Sequence, residues 1–138
     1  SVFEEHETGN NVVFIDWLSS PDFWNCTLQF NTIAGMHING HTNLTNCTIS
    51  NNSDTAIQCN GSAMIDESRV SDNSSGSSAA LVANSDTALK DTIVCGNTPE
   101  QLTGSISNLG GNCRNVLGEI SYLNNRQNRN AIAAIHFL

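Results

Sequence analysis

Leu44-Thr-Asn-Cys-Thr-Ile49 repeats Phe23-Trp-Asn-Cys-Thr-Leu28 at a distance of 21 residues, and Ile65-Asp-Glu-Ser-Arg-Val70 repeats it again after another 21. A fourth copy, Leu89-Lys-Asp-Thr-Ile-Val94, follows after 24. Each copy starts and ends on an apolar residue and reaches an Asn three positions later, at Asn31, Asn52, Asn73 and Asn97. One more step of 21 back from Asn31 lands on Asn10. A fixed period of this length marks a solenoid: a repeat too short to bury its own apolar face buries it against its neighbours.

A second apolar column follows each Asn. It reads Val13, Ile15, Trp17, then Ala34, Met36, Ile38, then Ile57, Cys59, then Ala79, Leu81, Ala83. Alternation of this kind predicts strands with one buried face, and it assigns Trp17 to the interior. Asn39, Asn60 and Asn84, with Gly40 and Gly61 behind the first two, mark a second turn in each copy. The coils so defined are 2–22, 23–43, 44–64, 65–88 and 89–112.

The fold class expected is all-β: a parallel β-helix of about five coils, right-handed by the bias of parallel connections, with residues 113–138 as a cap. An antiparallel sandwich would also use Asn-Gly hairpins, but it has no reason to place them at equal positions in successive copies. Leu28, Ile49, Val70 and Val94 should form one buried column, and Met36, Ile57 and Leu81 another. The Asn column should form a ladder of stacked amides whose members adopt the left-handed conformation at a tight bend. The first coil departs from the pattern, with Glu7 where its neighbours place Leu28 and Ile49.

Composition narrows the functional classes. The chain has 138 residues, with 13 acidic against 5 basic side chains and a net charge of −8. Such a surface repels a phosphate backbone, which argues against nucleic acid as a partner. The apolar runs, among them 12–15 and 131–135, are far too short for a membrane span. The opening at Ser1 reads as a mature product or a fragment of something longer. The five Cys form no CxxC pair and no zinc-like Cys/His spacing, so neither metal nor cofactor is expected.

The coils carrying Asn-Cys-Thr-[Leu/Ile], and the later Met36-His-Ile-Asn-Gly40 and Ile57-Gln-Cys-Asn-Gly61, resemble repeats of the pectate-lyase-like superfamily of parallel β-helix proteins. Val94-Cys-Gly-Asn-Thr-Pro-Glu-Gln-Leu102 and Asn108-Leu-Gly-Gly-Asn-Cys113 look like the last coil of secreted or surface bacterial members, or of phage ones. The resemblance implies a shape, and beyond it either polysaccharide chemistry or none. Lyases of that group use clustered carboxylates for calcium and a basic residue as base. Here three of the four Arg lie in the tail (Arg114, Arg126 and Arg129), and the acids do not stack into a column of three.

Three constellations carry what chemistry the sequence offers. The 21-residue step aligns Asp16, His37 and Gln58 on an outward face, where a carboxylate could orient an imidazole base or a polar column could hold a sugar; a solvated face has the same pattern. Asp66 and Glu67 lie beside Arg69, Lys90 and Asp91, which reads either as a glycosidase carboxylate pair or as a surface charge network. Three extra residues in the fourth coil, within 71–78, put Asn73 and Ser74 on a candidate binding loop. With Trp17 counted as buried, little aromatic platform for sugar stacking remains.

Cys95 follows the inward Val94 and should point outward, while Cys113 follows the Gly110-Gly111-Asn112 turn. A Cys95–Cys113 disulfide pinning the cap is expected on that ground, and with it an oxidising compartment. The functional expectation is a non-catalytic structural or recognition module of an extracellular, cell-surface or virion protein. Its partner would be a polysaccharide, another copy, or a neighbouring domain at the open end of the stack. The alternative is a carbohydrate-active enzyme or a piece of one.

Overall fold

A computed structural model describes residues 1–5, 7, 9, 11–116 and 119–121, with side chains up to Asn112 except those of residues 77 and 78. The described residues form a parallel β-solenoid of about five turns and contain no helix. Each turn contributes a strand to three faces. Val2–Glu4, Thr27–Gln29, Thr48–Ser50, Arg69–Ser71, Ile93–Cys95 and Cys113–Val116 stack as the first face. Asn11–Ile15, Ala34–Ile38 and Ile57–Cys59 stack as the second, and Asp22–Trp24, His41–Thr45 and Ser62–Asp66 as the third. The long strands Ser74–Lys90 and Thr98–Asn108 run through both of these faces. The cap expected over residues 113–138 falls mostly outside the described residues; only the short antiparallel pair Cys113–Val116 with Glu119–Ser121 lies within them.

Both apolar columns form as the period requires. Leu28 pairs with Ile49, Ile49 with Val70 and Val70 with Val94, all fully buried. Met36, Ile57 and Leu81 do the same on the second face. A third column, Phe23, Leu44, Ile65 and Leu89, closes the core.

The first coil is longer than the period assigns it. Phe3, not Glu7, lies against Leu28, an offset of 25, while Val13 lies against Met36 at 23 and Phe23 against Leu44 at 21. Two extra residues are therefore absorbed at each of its first two bends. The stack selects register by putting an apolar residue inside, since slipping by one residue would turn every side chain over. Beyond Ile15 the chain leaves the strand in a turn closed by Ser19 N–H donating to the Asp16 carbonyl at 2.9 Å. Trp17 and Leu18 project from that turn, 68% and 100% exposed. The assignment of Trp17 to the core is thus wrong, because strict 21-residue counting does not survive the lengthened bend.

The Asn ladder is present and deeply buried. Asn31 donates its side-chain amide to Asn52 Oδ1 at 2.8 Å, Asn52 to Asn73 at 2.9 Å and Asn73 to Asn97 at 2.9 Å. Each of these amides also donates to a carbonyl of the adjacent strand on the preceding coil: Phe3, Leu28 and Ile49 respectively, with Asn97 reaching Val70. Gln101 receives the last amide, Asn97 Nδ2 donating to its Oε1 at 2.9 Å. The left-handed residues, however, are those just before the ladder: Phe30, Asn51, Asp72 and Gly96 have φ between +55° and +66°. The bend is made by one residue so that the next can aim its amide inward. Asn10 lies outside the described residues.

A second ladder went unread in the sequence. Cys47 N–H donates to Ser68 Oγ at 3.0 Å, Ser68 N–H to Thr92 Oγ1 at 3.4 Å and Thr92 N–H to Asn112 Oδ1 at 2.8 Å. The column holds Cys26 and Cys47 at one end and hydroxyl or amide side chains at the other. The mixture of residue types hides it from a search for repeated letters.

Gly61 shows why the Asn-Gly pairs recur. A Cβ there would run into the carbonyl oxygens of Gly40 and Asn39 on the preceding coil. Gly61→Ala is expected to destabilise by about 1–3 kcal/mol, as overpacking against rigid backbone does. Gly76→Ala, with open space around it and only its φ of +74° to strain, should cost less. Denaturant midpoints of the two variants check the order.

Candidate functional site

The lengthened first coil also dissolves the first constellation. Phe14, not Asp16, pairs with His37, and His37 pairs with Gln58. Asp16 sits in the turn, its Oδ1 accepting from Trp17 N–H at 2.7 Å. His37 packs its ring against Phe14 at a centroid distance of 5.5 Å, and its Nε2 lies 3.1 Å from Asn39 Oδ1 and 2.9 Å from Asn60 Nδ2. Amides and an aromatic ring surround the imidazole where a carboxylate was expected, so the proposed acid–base pair is not assembled.

Asn73 is corrected as well. It is 1% exposed and fully engaged in the ladder, so it cannot reach a ligand. Ser74 is exposed at the start of the three-residue insertion, where the register against the next coil shifts between Ser74 and Ala79.

His41 and Ser62, which the sequence did not single out, lie in register on the third face with Nδ1 and Oγ 2.6 Å apart. A nucleophile–base pair needs donors for a developing oxyanion. The neighbouring N–H groups of Gly61 and Ser62 are already given to the Ile38 and Gly40 carbonyls. The contact is a rung between coils.

The Cys95–Cys113 bridge is not formed. Cys95 carries a free, half-buried thiol. The backbone register sets Cys113 against Ile93, two residues short of Cys95, which for strands 4.8 Å apart separates the two Cα atoms by about 8 Å, beyond disulfide range. The Cys113 side chain lies outside the described residues. Loss of solvation on burial pushes the Cys95 thiol up from its usual range, partly opposed by Arg69. Cys59, fully buried, is raised for the same first reason. Native-state alkylation should therefore label Cys95 well before Cys59, at a rate still climbing with pH beyond the usual thiol range; peptide mapping reads out both.

The second constellation is the one the structure develops. Asp66 and Glu67 stand at the corner between the third and first faces. Trp24 pairs with Thr45 and Thr45 with Asp66, while Lys90 pairs with Asp66 on the other side, making one outward column of the four. Lys90 Nζ lies 3.3 Å from Asp66 and 3.6 Å from Asp91. The Asp66 carboxylate, foremost, holds the Lys90 ammonium above its ordinary pKa.

Beside that column runs a row of left-handed residues, Asn25, Asn46, Glu67 and Asp91, with φ between +46° and +53°. Asn25, Asn46 and Glu67 donate their backbone N–H groups to the carbonyls of Thr45, Asp66 and Lys90 on the next coil. Asn46 Nδ2 donates to Asn25 Oδ1 at 2.6 Å. Between the two rows lies an open trough of about 360 Å³ lined by Trp24, Asn25, Thr45, Asn46 and Glu67. Trp24 is 69% exposed. Among the described residues, neither an ion pair nor a side-chain hydrogen bond engages the Glu67 carboxylate. An aromatic ring, two amides, a hydroxyl and a carboxylate thus converge on one groove, mounted on a backbone that the stacking holds rigid.

Sequence reading had Glu67 but neither Trp24 nor the Asn25–Asn46 row. The 21-residue step carried the signal: Asn25, Asn46 and Glu67 are equally spaced. No protein-family model, curated protein or solved structure matches this chain.

Proposed function

We propose that this solenoid is a non-catalytic recognition module of an extracellular, cell-surface or virion protein, and that it contacts glycans through the Trp24–Glu67 trough. One observation carries the reading: an exposed indole shares a groove with amide, hydroxyl and carboxylate groups. Sugars present apolar C–H faces ringed by hydroxyls, and this combination of aromatic and polar groups complements both. The ladder spacing fixes the groups before binding, which lowers the ordering cost of association. The extracellular or virion setting rests on the resemblance to secreted, surface and phage proteins of the pectate-lyase-like superfamily, to which we assign the repeat.

The lyase or glycosidase alternative is less well supported. Asp66 is tied to Lys90, and His37 has no carboxylate beside it. Trp24→Ala should weaken glycan binding at least tenfold, about 1.4 kcal/mol, with an unchanged far-ultraviolet spectrum; calorimetric titration against a panel of oligosaccharides measures it. Undiminished binding in Trp24→Ala would overturn the trough reading. Release of reducing ends or unsaturated products that disappears in Asp66→Ala would favour the enzyme.

A further inference from the structure

The charges around the trough say which glycan it accepts. Residues 1–68 contain neither Lys nor Arg, yet include Glu4, Glu5, Glu7, Asp16, Asp22, Asp54, Asp66 and Glu67. Of the cations beside the trough, Lys90 is shared between Asp66 and Asp91, and the Ser1 ammonium donates to the Asn25 carbonyl at 3.3 Å. The Glu67 carboxylate lines the groove itself, two rungs along its own row from Asn25, and Trp24 lines the opposite end.

We infer that the trough selects glycans bearing free amino groups, such as chains of 2-amino-2-deoxyhexose, and rejects uronic-acid chains. This inference rests on the trough being the glycan site and adds the class of sugar. An ammonium on the ring meets a carboxylate with no ion-pair or side-chain hydrogen-bond partner among the described residues, so it forms a charge-assisted hydrogen bond without displacing one of theirs. A uronate would bring a second carboxylate toward Glu67 with no uncommitted cation among the described residues of the groove to offset it. N-acetylation removes the sugar's charge while keeping its shape nearly intact, so the acetylated chain is the matched control.

The test is titration of the intact protein with glucosamine tetramer, N-acetylglucosamine tetramer and tetragalacturonate, in wild type, Trp24→Ala, Glu67→Gln and Glu67→Asn. The Asn variant extends the existing Asn25–Asn46 row and suits the left-handed φ of +48° at this position, so it guards against a folding defect. Wild type should bind the amine chain at least tenfold tighter than the acetylated one and leave the uronate unbound. Both Glu67 variants should bring that ratio close to one, and added salt should shrink it in wild type. Equal binding of amine and acetylated chains, lost in Trp24→Ala, would overturn the charge selection and leave the trough reading standing. A preference that persists in both Glu67 variants, or tighter binding of the uronate, would also overturn it. Failure of all three chains to bind would overturn this inference and these sugars as ligands of the trough together.

Discussion

Asn52→Ala is expected to cost about 4 kcal/mol, near the upper end of what single substitutions do. Asn52 is 1% exposed and sits mid-stack. Its Oδ1 accepts from both the backbone and side-chain nitrogens of Asn31, at 3.1 and 2.8 Å. Its Nδ2 donates to the Leu28 carbonyl at 3.2 Å and to Asn73 Oδ1 at 2.9 Å. Truncation takes that acceptor from Asn31, that donor from Leu28 and one of two donors from Asn73, all away from water. Each buried polar group stripped of a partner costs about 1–3 kcal/mol. Asn84→Ala supplies the comparison: it removes one ladder bond of the same kind, to Asn60 at 2.8 Å, at an exposed site, where water replaces the partner. Chemical denaturation of the two variants should separate them by more than 2 kcal/mol, as the difference between these estimates requires. Equal costs would mean that the inner Asn column is not what holds the coils in register.

Ile49→Ala should destabilise by about 2–5 kcal/mol through the cavity it leaves. Ile49 is 1% exposed, with Leu28 on one side and Val70 on the other in the same column. Both neighbours are fixed by strand pairing at the ladder spacing, so neither can move along the stack to fill the space. The fold must absorb the gap by losing contacts, which places the cost toward the higher part of the range. A solenoid transmits such a defect to nearest neighbours, so hydrogen exchange should quicken first in strands Thr27–Gln29 and Arg69–Ser71. Exchange that quickens uniformly over all described strands, or a loss below 1 kcal/mol, would contradict a nearest-neighbour stack.

The two calculations rest on features with unequal visibility in the sequence. The Ile49 column and the inner Asn ladder are legible because each coil repeats the same letter or the same class of side chain at a constant step. The Cys47–Ser68–Thr92–Asn112 ladder obeys the same geometry, but four different side chains fill it, so the step alone cannot flag it. The candidate site divides in the same way. Glu67 stood out as one of two adjacent acids. Trp24 did not, because its neighbours Thr45 and Asp66 share only its outward direction, and groove formation depends on the corner between two faces.

The period by itself determined the solenoid: parallel pairing, two of the inward columns, the Asn ladder and the recurring glycines follow from apolar residues that cannot be buried within one coil. It did so because stacking is a nearest-neighbour interaction, written locally at every 21 or 24 residues. Tertiary structure alone decided how the bends absorb extra residues. Offsets of 25, 23 and 21 within the first coil move Phe3 into the core and turn Trp17 out. They also replace Asp16 with Phe14 beside His37. A bend of two more residues costs little in closure entropy, whereas an acidic side chain in an apolar column costs several kcal/mol; the core therefore chooses the register, and the loops and the surface groups they carry follow from that choice.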